Sequence, residues 1–168
     1  MNDFDFEITL EDTPEYIDKD LSVTVNRQIL TDIMNYAKGD TERERGGFLL
    51  GYLTETPETY RINITDYITA KHTVNRTASL TFTHKSWQEA EKEIEKNHRD
   101  KIMLGWFHSH PGYGVFLSGM DMFIENNFFN LPYQVAYVVD PLSGKDGFFG
   151  WEDQGKIKKI EDIKEIII

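Results

Sequence analysis

The chain contains no cysteine in its 168 residues. That excludes disulfides, cysteine-based zinc fingers and thiol catalysis, and it fits a reducing, cytoplasmic setting. Proline and glycine are sparse, at 5 and 12 residues, which excludes a collagenous or low-complexity chain. No apolar run approaches the roughly 18 residues of a spanning helix, so no membrane segment is expected. The first residues, MNDFDFEITLEDT, lack the basic start and apolar core of a secretory signal. Positive charge is scarce: 18 Lys and Arg stand against 29 Asp and Glu, for a net charge of −11. Such a chain repels a phosphate backbone, which argues against nucleic acid and for a basic or weakly charged protein partner.

The acidity is concentrated. Residues 1–20 hold eight acids against Lys19, so −7 of the −11 lies there. This stretch reads as an acidic N-terminal arm, either solvated or a docking segment for a basic partner. Residues 21–168 then form one domain, with 39% hydrophobic and 28% charged residues in the chain as a whole.

Hydrophobic periodicity supplies the elements. Residues 21–25 alternate as a strand. Asn26 caps a helix with Ile29, Leu30, Ile33, Met34 and Ala37 on one face, closed by Gly39. Residues 48–53 and 60–68 read as paired strands joined by a turn at 55–58. Residues 70–82 carry little pattern and read as an exposed loop or irregular hairpin. Thr83 caps a charged helix over 85–97, residues 102–107 form a central strand, and Ser118 opens a third helix ending near Phe129. Strands follow at 133–139 and 148–151. Lys156 to Ile160 suggests the return of a hairpin turning at 153–155, but isoleucine at 157, 160, 163 and 166 fits a helix equally well. Three helices among about seven strands predict a mixed α/β domain.

Of the histidines His72, His84, His98, His108 and His110, two stand together in GWFHSHP at 105–111. At a strand end His108 and His110 share a face, with Ser109 opposite, and two imidazoles on one face can share a metal. Alone, such a pair is more often two half-buried polar residues. Asp121 lies eleven positions on, in the first turn of the helix that Ser118 begins. There it serves as the third residue of a capping box and also brings a carboxylate toward the strand end. Two histidines and a carboxylate leave one position open on tetrahedral zinc, the pattern of catalytic sites. A water there becomes hydroxide near neutral pH and still needs a proton acceptor. Glu42 and Glu44 both precede Gly46-Gly47, and spacing alone does not choose between them.

Glu44 with RGGFLLG, followed by His108-Ser-His-Pro111, Ser118 and Asp121, resembles the JAMM (MPN+) zinc metalloprotease motif. The stretch GWFHSHPGYGVFLSGMD at 105–121 is similar to the isopeptidases of the proteasome lid and signalosome. The resemblance implies an MPN/JAB-like single domain, a curved β-sheet flanked by helices. It implies that His108, His110 and Asp121 bind one zinc ion, that Glu44 is the general acid and base, and that Ser118 stabilises the developing oxyanion. It also implies an isopeptidase that cuts after the C-terminal tail of ubiquitin or a ubiquitin-like modifier and holds that tail partly by strand pairing. The irregular segment 71–82 is the expected tail-binding element, with Lys71, Arg76, Phe82 and Gly112 as candidate contacts. The absence of long insertions and of a C-terminal extension suits a compact, bacterial-type member. A non-catalytic MPN scaffold is the alternative, and an H-x-H phosphoesterase a weaker one, since His72, His84 and His98 form no second H-x-H.

Overall fold

The computed structural model describes residues 19–71, 73–76, 79–152 and 155–167, with the side chains of Asn75 and Arg76 excepted. Most of the acidic arm, residues 1–18, and part of the expected turn at 153–155 lie outside the described residues.

In chain order the elements are β1 (Asp20–Asn26), α1 (Arg27–Lys38), β2 (Gly46–Glu55), β3 (Thr59–Thr69), β4 (Val74–Arg76), β5 (Ser79–Thr81), α2 (His84–Asn97), β6 (Ile102–Ser109), α3 (Gly119–Phe128), β7 (Val135–Val139), β8 (Asp146–Trp151), β9 (Ile157–Lys159) and β10 (Ile163–Ile166). Eight strands make one mixed sheet, ordered β10-β1-β3-β2-β6-β7-β8-β9, while β4 and β5 form a separate hairpin. None of the described helices is long and apolar enough to cross a membrane.

The helix boundaries follow from local chemistry. The Asn26 side chain accepts from the Gln28 amide at 2.9 Å, and Gly39 caps the other end of α1. Thr83 and Ser86 form a capping box on α2, as Ser118 and Asp121 do on α3. One face of the sheet carries α1 through Ile29, Leu30, Ile33 and Ala37, packed on Val23, Ile62, Leu104 and Phe107. The other carries Ala90 of α2 and Ile124 of α3, packed with Phe48, Trp106 and Phe129. The result is three layers around a central sheet.

Two open readings are resolved. Within residues 70–82 the hairpin reading holds, as β4 paired with β5, but the segment is not exposed throughout: Ala70, Leu80 and Phe82 are buried in the core under α2. Strands of three residues are too short to show alternation, so the sequence pattern there is silent. The C-terminal segment is β9 and β10, not a helix. The isoleucines at 163 and 166 lie on β10, which runs parallel to β1 at the far end of the sheet from β9.

A bulge in β6 decides which face carries the histidines. Leu49 pairs with Gly105 but Leu50 pairs with Met103, leaving Leu104 as the extra residue. Gly105 sits at φ +154°, and a Cβ there would lie 1.9 Å from the Val135 carbonyl oxygen, so only glycine fits. After the bulge the alternation restarts. Leu104 and Phe107 face α1, and Trp106 faces α2 and α3. His108 follows Trp106 onto that second face, its ring stacked on the indole.

Candidate metal centre and active site

β6, α3 and β7 form a parallel strand–helix–strand unit. In such units the carboxyl end of the first strand opens beside the amino end of the following helix, which is the usual place for a site. His108 lies at that strand end and His110 just beyond it. Asp121 comes from the first turn of α3.

The three side chains converge. His108 Nε2 lies 3.0 Å from His110 Nε2. Asp121 Oδ2 lies 3.0 Å from His110 Nε2 and 3.1 Å from His108 Nε2. All three residues are buried. Ligands at zinc bond lengths of about 2.0–2.1 Å stand about 3.3 Å apart along a tetrahedral edge. The observed triangle is within a few tenths of an ångström of that, so these donors fit a zinc ion.

His110 and Asp121 are each held from behind. His110 Nδ1 lies 3.0 Å from the Gly114 carbonyl, which accepts its N–H and so orients the ring. The Ser118 amide donates to Asp121 Oδ2 at 2.8 Å, and the Asp121 amide donates to Ser118 Oγ at 3.2 Å. Thus the capping box that starts α3 also aims the carboxylate. Burial alone pushes the Asp121 carboxyl up. Attraction to His108 and hydrogen bonds from His108, His110 and Ser118 outweigh it and hold the group well below the usual carboxylate range.

Glu44, just before β2, is buried, while Glu42 is exposed. Glu44 Oε1 stands 3.6 Å from His110 Nε2. The pairing of Gly46 with His108 brings this end of β2 to the strand end that carries the histidines. Burial raises the Glu44 pKa, opposed by attraction to His108 and by a hydrogen bond from Tyr113. The two acids that spacing alone left equal are therefore separated by burial.

Three contributors were not legible in the sequence. Tyr113 donates its hydroxyl proton to Glu44 Oε1, and its ring stacks on His110 with centroids 4.6 Å apart. Asp140, expected only as the end of a strand, is buried and accepts from the amides of Gly112 at 3.0 Å and Gly114 at 3.2 Å. It thereby fixes the loop whose Gly114 carbonyl orients His110. Trp106 lies flat against His108, with centroids 4.3 Å apart and an interplanar angle of 9°. The signal available was the density of glycine and aromatic residues around H-x-H, which does not say which of them touch the site.

The candidate tail contacts are not all together. Gly112 is exposed on the loop beside His110. Lys71 is exposed and lines a groove of about 490 Å³ with Thr69, Glu89 and Glu93. Arg76 ends β4 opposite Ser79, but its side chain lies outside the described residues. Phe82 is instead a core residue, packed on Phe48 at 4.7 Å and Trp106 at 5.8 Å between centroids.

A curled mixed sheet with a metal-competent His-x-His and a helix-borne aspartate at one strand end defines an MPN-type domain. The chain belongs to the JAB1/Mov34/MPN/PAD-1 ubiquitin protease family, whose model matches residues 18–131. It is 25% identical over 142 residues to the 26S proteasome regulatory subunit RPN11 of Eremothecium gossypii, covering 84% of this chain and 43% of that protein. The 26S proteasome non-ATPase regulatory subunit 14 of Dictyostelium discoideum is 29% identical over 128 residues, 75% of this chain and 40% of its own length. COP9 signalosome complex subunit 5 of Debaryomyces hansenii reaches 45%, but over 62 residues, 36% of this chain and 12% of that one. The chain thus spans about two fifths of the length of its proteasomal relatives. Among solved structures, the solution structure of protein DSY2949 from Desulfitobacterium hafniense matches with a TM-score of 0.64 at 18% identity, covering 87% of this chain and 92% of that one. That likeness is one of fold.

Proposed function

We propose that the protein is a zinc-dependent peptidase that hydrolyses the bond after the C-terminal tail of ubiquitin or a ubiquitin-like modifier, acting in the cytoplasm. One observation carries this reading: a buried glutamate, Glu44, stands 3.6 Å from a histidine of a convergent, buried His108–His110–Asp121 triad. A closed structural metal site has no use for an additional buried acid at its mouth, whereas hydrolysis needs one.

Zinc held by His108, His110 and Asp121 would supply Lewis acidity and lower the pKa of water. Glu44 takes the proton of the attacking water and later gives it to the leaving amine; a carboxylate whose pKa is raised by burial is suited to both steps. Tyr113 holds Glu44 in place by its hydrogen bond. Ser118 Oγ accepts the Asp121 amide and keeps its own proton for donation to the substrate oxygen as negative charge develops there.

The β4–β5 hairpin is the proposed tail dock. Leu80 of β5 packs against Gly46, the residue paired with His108, which brings the hairpin's base beside the triad. Among the described residues β4 and β5 pair only with each other, so each offers an open edge to an extended peptide. Lys71 precedes this hairpin, Arg76 ends β4 within it, and Gly112, on the loop beside His110, permits close passage of a backbone.

Zinc analysis of the purified protein tests the metal part. One zinc per chain is expected in the wild type and much less in His108→Ala and Asp121→Ala. Equal content in all three would overturn the site. Metal binding without any peptidase activity would instead support the non-catalytic scaffold.

A further inference from the structure

A metal-binding histidine ordinarily donates its second ring N–H to an oxygen, which fixes both tautomer and ring plane. His110 does so, to the Gly114 carbonyl. His108 does not: its Nδ1 is buried and has no hydrogen-bond partner among the described residues. Something else must hold that ring.

Trp106, two residues earlier on the same face of β6, lies parallel to His108 at 9° and 4.3 Å. The indole is itself immobilised. It is fully buried, lies near-parallel to Phe129 at 5.8 Å, and meets Phe82 edge-on at 5.8 Å. Its Nε1–H donates to Glu125 Oε2 at 2.6 Å. Glu125 is completely buried on α3, one helical turn after Asp121, and its other oxygen has no partner among the described residues. A buried acid with one unpartnered oxygen costs stability. Burial pushes its pKa up to about 8, against the opposing hydrogen bond from Trp106. The mechanism proposed above does not use it.

We infer that Trp106, anchored by Glu125, is a stacking clamp that positions His108 in place of the missing hydrogen bond. The chemistry suits a ligand. An imidazole that gives its lone pair to a metal becomes electron-poor, and the face of an indole attracts such a ring more strongly than a neutral one. The same acid ties α3 to β6. Thus the helix that supplies Asp121 and the strand that supplies His108 are locked together at a second point behind the site. Trp106 and Glu125 are positioning residues, since they act through His108. The inference rests on the reading of His108 as a metal ligand, yet the position of its ring is measurable without metal.

The test uses the full chain. In the metal-free protein, ring ¹⁵N and ¹³C resonances of His108 report its tautomer and mobility. The wild type and Glu125→Gln should show one rigid ring state, because glutamine still accepts from the indole. Glu125→Leu and Trp106→Leu should show tautomer averaging or line broadening at His108 but not at His110. Should Trp106→Leu not fold, Trp106→Phe keeps an aromatic face, loses the N–H and is expected to give an intermediate effect. Zinc affinity is then read by competition with a chelator. Glu125→Leu and Trp106→Leu should lose about 10–100-fold, the range for lost supporting partners of a ligand. Glu125→Gln should stay within a few-fold of wild type, and so should Ile33→Val on the opposite face of the sheet. Unchanged His108 resonances in the leucine variants would overturn the clamp, as would an affinity loss no larger than that of Ile33→Val. A wild type that takes no zinc but shows the ring effects would overturn the metal reading and leave the clamp standing.

Discussion

The hydroxyl of Tyr113 donates to Glu44 Oε1, the same carboxylate oxygen that lies 3.6 Å from His110 Nε2. The residue that restrains the proposed general base therefore also covers a proposed metal ligand, through its ring on His110. The bond stabilises the ionised carboxylate against burial, and it links the Pro111–Gly114 loop to the start of β2.

Tyr113→Phe removes that bond and keeps the ring. The Glu44 pKa, already raised by burial, should rise further, because a hydrogen bond to the charged form holds it down. Activity requires the deprotonated form, so the acid limb of the kcat/KM profile should move to higher pH, and rates below it should fall. An acid limb that stays in place would show that the tyrosine does not tune the base.

Glu44→Gln should keep the fold and much of the metal while losing about 10²–10⁴-fold in kcat, the usual contribution of a general base. Glu42→Gln should leave turnover unchanged, since Glu42 is exposed. Steady-state kinetics on both variants decides this, and the reverse pattern would reassign the acid.

Glu125 is expected to make stability pH-dependent. Its folded pKa of about 8 lies above the unfolded value near 4.3, so the folded protein binds the extra proton. The stabilisation from that proton is fully present below the unfolded value and is lost as pH rises through about 8. Glu125→Gln has no such loss, so its stability relative to wild type should increase between about pH 5 and pH 8.5. By linkage the ceiling of that increase is about 4–5 kcal/mol, and less if the site relaxes. Denaturant melts at the two pH values measure it. A constant difference would mean that Glu125 does not titrate in this range.

Much of this was legible because local chemistry repeats in fixed patterns. Asn26 before an apolar stripe marks α1, and Ser118 three residues before Asp121 marks both the start of α3 and the aim of a carboxylate. H-x-H at a strand end puts two imidazoles on one face. What was hidden depends on long-range contact. Tyr113 meets Glu44 across 69 positions, and Asp140 reaches Gly112 across 28. The bulge at Leu104, which turns His108 toward α3, arises from pairing with β2 and β7 and leaves only a glycine as its trace. The burial of Leu80 and Phe82 left no trace because strands as short as β4 and β5 have no period. The pairing of β10 with β1 joins the two ends of the chain, and isoleucine every three residues pointed as readily to a helix.

The most direct measurement is mass spectrometry of the zinc-loaded protein incubated with a panel of ubiquitin and ubiquitin-like fusions, with Glu44→Gln alongside. The wild type should release at least one modifier with its C-terminus ending at its own last tail residue, and Glu44→Gln should release almost none. Replacing the last two tail glycines with bulky residues should slow cleavage, and deleting part of 71–82 should lower catalytic efficiency. Release of no modifier by the zinc-loaded wild type, or equal release by Glu44→Gln, would contradict the proposed function.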